Sequence, residues 1–194
     1  GILFVSKNTV KEQFTAEGDP IITEVPQAFK PIQVYTENCL TQIGKRGLIL
    51  LGEQGGYIYP ELVGEYSISD PTNADGLNLE PVHIPYWHYN PNHNDLKQVT
   101  LKSLQPSLHI QEDTFSIESQ LSRYVEEEIT KCLDGYQVFN EQGFNIGIDD
   151  SKEAIITVTD QTVNFWLRMV VNAAKENSQA SLEGFYIKIP LRLK

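Results

Sequence analysis

Three histidines, His83, His88 and His93, follow one another at five-residue steps, with Asp95 just beyond the last. Imidazole nitrogens with a carboxylate form the donor set that zinc and other borderline metals take. The chemistry such a site would run is metal-dependent hydrolysis. On a strand, however, a five-residue step is odd and sends His83 and His88 to opposite faces. A bend at Pro85 would have to bring them together. The competing reading is a set of solvated or hydrogen-bonding histidines.

A second group is rich in oxygen donors: Asp70, Asn73, Asp75, Asn78 and Glu80, arranged around Asp75-Gly76. Calcium takes six to eight oxygen ligands, so Asp70, Asp75 and Glu80 are its candidate carboxylates and calcium a candidate cofactor. The EF-hand spacing is not met, since Pro71 occupies a ligand position. Asx turns account for the same composition. Nucleophilic catalysis has no motif: there is no G-x-S-x-G, and neither cysteine has a histidine in a recognisable pattern. Gly55-Gly56 does not follow the phosphate-loop pattern.

Aromatic residues crowd the same stretch. Tyr57, Tyr59, Tyr86, Trp87 and Tyr89, with Tyr66 among them, would form a binding surface for a protein or carbohydrate if exposed. Buried, they would be the core of a loop-rich region.

Charge removes some partners. Fifteen Lys and Arg face 26 Asp and Glu, for a net charge of −11. Nucleic acid and anionic membrane surfaces are disfavoured by that balance. Two cysteines, Cys39 and Cys132, without a C-x-x-C give no support for structural zinc or thioredoxin-type chemistry.

The elements that must position these residues follow from periodicity. Residues 32–53 carry Ile32, Thr36, Cys39, Leu40, Ile43, Gly47, Leu50 and Leu51 at helical spacing, after Pro31 and before Gly55-Gly56. Gly44, Gly47 and Gly52 weaken that helix but permit close approach of a neighbour. Residues 115–133 form a second helix, with an apolar stripe from Ile117 to Leu133, capped by Thr114 or Ser116 and stopped near Gly135. Glu126-Glu127-Glu128 should mostly face solvent. The last sixty residues read as a β-meander with strands at Phe144–Ile148, Ala154–Thr159, Thr162–Val171 and Phe185–Leu193. Residues 57–95 are irregular, with short strands at 57–59 and 82–89. The fold class is therefore α+β: two helices packed on a C-terminal antiparallel meander, with a long aromatic-rich loop region. Residues 32–194 make one domain. Residues 1–31 are read as the remnant of a membrane anchor and a linker: the apolar Gly1–Val5, then an extended linker over 8–31 with a short strand at Ile21-Ile22-Thr23. That pentad fits the last turn of a transmembrane helix or an ordinary N-terminal strand. Both cysteines fall on apolar helix faces, where they are either bridged or buried and reduced.

Glu37-Asn38-Cys39-Leu40 and Gln54-Gly55-Gly56-Tyr57-Ile58, with Ile84–Tyr89, Leu121–Val125, Cys132-Leu133, Phe139 and Gly143-Phe144, give the chain a likeness to a known group. It resembles uncharacterised membrane-anchored surface proteins of small-genome, DPANN-type archaea across most of residues 32–146. The resemblance implies an N-terminal transmembrane anchor, an extracellular domain at the cell surface and a Cys39, Cys132 pair. It implies no activity and no catalytic residues. The resulting expectation is a non-enzymatic cell-surface module for binding or for envelope or filament structure. Its partners would be a protein, a carbohydrate or further copies of itself. The alternative is the metal-dependent hydrolase at His83, His88 and His93.

Overall fold

The structure is a computed structural model that describes Pro20 and residues 24–90, 101–111 and 113–193. The expected strand at Ile21-Ile22-Thr23 and the pentad Gly1–Val5 lie outside the described residues. A 3-10 turn leads into helix α1 (Lys30–Glu53), with Pro31 in its first turn, where a missing N–H costs nothing. Helix α2 spans Ile117–Leu133 and is capped by Ser116, whose hydroxyl accepts from Ser119 N. It ends where Asp134, Gly135 and Tyr136 all turn left-handed, with φ of 45°, 58° and 56°. A short helix α3 (Gln137–Asn140) follows.

Strands β1 (Gly76–Leu79) and β2 (Val82–Pro85) form a separate hairpin. The main sheet contains β3 (Asn145–Val158), β4 (Thr162–Lys175), β5 (Ser178–Leu182) and β6 (Phe185–Pro190). All pairings are antiparallel, β4 is central, and β5 and β6 share its second edge. The expected α+β architecture is thus present, with three adjustments. The two short strands expected before residue 160 are one continuous β3, broken only by an irregularity between Ile148 and Lys152. The turn-forming residues Asp149, Asp150 and Ser151 make that bulge. Strand β5 adds a pairing on Ser-Gln-Ala-Ser, which has no apolar alternation to announce it. Residues 57–59 form no strand, and the 82–89 strand stops at Pro85.

The core lies between the helices and one sheet face. Val163, Phe165, Leu167, Met169, Val171 and Ala173 of β4 all point inward at period two. They meet Ile32, Leu40 and Ile43 of α1 and Leu121, Val125 and Ile129 of α2 within one cluster of buried side chains. A Cβ on Gly44 would lie 3.0 Å from Phe165 Cζ, and one on Gly47 would lie 2.9 Å from Leu121 Cδ2. These two glycines are the contact points that let α1 sit close to sheet and partner helix, while Gly52 faces open space.

Cys39 and Cys132 form a disulfide that ties α1 to α2, their Cα atoms 5.8 Å apart. The bond closes a sequence separation of 93 residues, which the chain-entropy argument values at about 4–5 kcal/mol. The membrane anchor needs correction. Among the described residues no helix is long and apolar enough to cross a membrane. The longest, α1, carries Lys30, Glu37, Lys45, Arg46 and Glu53.

Candidate functional site

The residues singled out between 57 and 90 build a layer beside the helix–sheet body. The hairpin is its centre. Leu77 faces Ile84 and Leu79 faces Val82 in register, so these four aliphatic side chains share one face. On the other face Tyr66 stacks on His83 at 4.7 Å between ring centroids, with 4° between the planes. Gly76 lies under the same ring: a Cβ there would meet Tyr66 Cε1 at 2.7 Å and the Ile84 carbonyl oxygen as well. The absence of a side chain at Gly76 is what lets Tyr66 close that face.

Asp75 holds the layer to its neighbours. Its carboxylate accepts from Glu65 N at 3.0 Å and from the Tyr89 hydroxyl at 2.7 Å. Its own backbone bonds Glu65 O and Tyr86 N. These donors hold the Asp75 carboxyl below its ordinary value, the Glu65 amide contributing most and Tyr89 next. Burial, reinforced by the Asp75 hydrogen bond, pushes the Tyr89 phenol up to about 12.

The remaining aromatics divide between support and surface. Tyr57 is buried and donates to Leu104 O at 2.8 Å. Tyr59 donates to Glu127 at 2.7 Å, under the Arg123 guanidinium 4.4 Å from its ring centre. Burial first, and the Glu127 bond next, raise the Tyr59 pKa. Tyr86 is half-buried and tilts against Tyr89 at 6.0 Å. Trp87 is 46% exposed, though its indole N–H is committed to Gly55 O at 2.8 Å. Of the five aromatics expected to form a binding surface, Trp87 is thus the exposed one, and the tyrosines frame the layer. Three aliphatic side chains of the layer are also exposed: Ile68 is 68% exposed, Leu79 57% and Leu77 41%.

The proposed metal sites do not assemble. Among the described residues no group of three or more His, Cys, Asp or Glu is placed to hold an ion. His83 is taken up by Tyr66, His88 is exposed, and His93 with Asp95 lies outside the described residues. The metal-dependent hydrolase is corrected on that finding. Among the calcium candidates, Asp70 accepts from Asn73 backbone and side-chain nitrogens in a local turn, Asn78 accepts from Glu80 N, and Asp75 is held by Glu65 N and Tyr89.

Several polar residues of α2 are structural, among them Glu126 of the acidic run expected mostly to face solvent. Glu118 is 6% exposed and accepts from Val158 N, Ile110 N and His109. Glu126 accepts from Ala154 N, Ser122 donates to Ala154 O, and Lys152 donates to Thr130. Residues 118, 122, 126 and 130 recur every four positions, so one stripe of α2 caps the outer edge of β3. Gln120 is buried too and links Ile58 N with the Gly56 and Phe115 carbonyls, joining α2 to the hairpin layer. The spacing of four was visible in the sequence, but nothing there marked β3 as its target.

No family model, no curated protein and no solved structure matches the chain. The resemblance at Gln54-Gly55-Gly56-Tyr57-Ile58 therefore stands on those residues alone. The anchored cell-surface location expected from the resemblance is corrected with the anchor, since no described helix is long and apolar enough to cross a membrane, and the aromatic surface expected for a protein or carbohydrate is reduced to Trp87.

Proposed function

We propose that this chain is a non-catalytic contact module, in which a disulfide-tied body presents the aliphatic face of the β1–β2 hairpin to an apolar surface of a ligand. One observation carries the reading. Leu77 and Leu79, alternate residues on one face, are both exposed, and their cross-strand neighbours are Ile84 and Val82. A face turned only to water would carry polar side chains at these positions, and contiguous exposed aliphatics mark contact surfaces.

The absence of catalysis is supported by how the layer spends its ionisable groups. Asp75 and Tyr89 bond each other, as do Tyr59 and Glu127, and Glu127 is further held by Arg123 at 2.8 Å. Each shifted group already has a structural partner. The Cys39–Cys132 bond fits a protein that folds under thiol-oxidising conditions.

A photo-crosslinking residue at position 79 tests this, with one at the exposed position 183 as control, both in extract of the source cells. A discrete adduct at 79, absent at 183 and lost with Leu77→Ser, is expected. Adducts that are the same at both positions, or none at 79, would refute the reading.

A further inference from the structure

We propose that a second site, the groove between the first turns of α1 and helix α3, binds an amphipathic anion, a carboxylate on an apolar chain. The groove has a volume of about 430 Å³, within the range of small-ligand sites. Its walls are Pro31, Val34, Tyr35 and Phe139, and the polar lining is confined to Gln27, Lys30 and Asn38. In a chain with 26 Asp and Glu against 15 Lys and Arg, this lining holds a cation and no carboxylate. Lys30 is exposed and makes no ion pair among the described residues.

The order along α1 fixes the ligand's polarity. Lys30 stands at one end, Pro31 and Val34 follow, and Asn38 closes the other end. Lys30 to Asn38 is eight residues, about 12 Å of helix. An anionic head at Lys30 would leave its chain lying over Val34 and against the Phe139 ring.

The walls are held in place before any ligand arrives. Tyr35 donates its hydroxyl to Cys132 O at 3.3 Å, next to the disulfide. Its ring lies 5.4 Å from Phe139 and 5.8 Å from Tyr136. Phe139 in turn meets Phe144 edge-on at 5.9 Å. Preorganised walls lower the cost of ordering a bound chain. Val34, 45% exposed, leaves its apolar surface open.

The test is residue-resolved chemical-shift titration of the full chain with decanoate below its micelle threshold, and with decanol as the neutral control. Saturable decanoate shifts at Val34, Tyr35, Asn38 and Phe139 are expected. Lys30→Gln should weaken decanoate about two- to fivefold, the range of an exposed ion pair, and leave decanol unchanged. Val34→Asp should abolish binding of both while the remaining spectrum stays native. The proposal is overturned if no saturable shift occurs, if the shifts map to the hairpin instead, or if Lys30→Gln affects decanol as much as decanoate.

Discussion

The helix–sheet body and the hairpin layer are held together by different means. The body rests on alternating buried aliphatics, two close-packed glycines and a disulfide. The layer has a smaller buried set, Tyr57, Ile58 and Ala74, and adds to it the Tyr66–His83 stack and single polar links: Asp75 to Tyr89, Tyr57 to Leu104, Trp87 to Gly55, Gln120 to Ile58. Burial is collective, so the body tolerates small losses anywhere along its pattern. A polar link is local, so breaking one releases one segment. The layer can therefore expose Leu77 and Leu79 without drawing on them for stability.

The largest expected effect that separates the regions is loss of the disulfide. Replacing Cys39 and Cys132 together by Ser should cost about 4 kcal/mol in denaturant unfolding while the hairpin pairing of the folded state persists. A loss of under about 1 kcal/mol would mean the helices need no covalent tie. Glu118→Ala comes next. It strips the acceptor from Val158 N and Ile110 N and should destabilise by about 3 kcal/mol, with amide exchange rising first at the C-terminal end of β3. Tyr57→Phe is smaller. It removes one hydrogen bond to Leu104 O, worth about 1 kcal/mol, and should speed proteolysis within 101–111 while the body's thermal midpoint hardly moves.

The smallest effect is electrostatic. Asp75 has its carboxyl held below the ordinary value in the folded state. Its contribution is thus fully present above about pH 4, the unfolded carboxylate range, and is lost as pH falls through the folded value. Hairpin amides should exchange faster in acid before those of the body do, and Asp75→Asn should flatten that dependence. An unchanged acid profile in Asp75→Asn would remove Asp75 as the layer's fastening.

The same contrast explains what was legible in the sequence. Helices α1 and α2 follow from spacing alone, because burial of one face imposes a period. The facing cysteines could be placed on helix stripes for the same reason. The layer imposes no period. Its order comes from partners distant in the chain, such as Tyr59 with Glu127 and Gln120 with Gly56, and no local pattern reveals which tyrosine turns inward. His83 illustrates the difficulty: residue type pointed to a metal, whereas its ring is a flat partner for Tyr66. Glu126 illustrates the reverse, a carboxylate in an acidic run that serves a strand edge.

Amide exchange across Gly76–Pro85 in Leu77→Ser with Leu79→Ser, compared with the unaltered chain, tests the account most directly. Exposed side chains that serve contact rather than packing should leave protection and thermal midpoint nearly unchanged, within about 0.5 kcal/mol. Loss of protection along the hairpin would show that Leu77 and Leu79 hold the layer together, and would contradict their assignment as a contact surface.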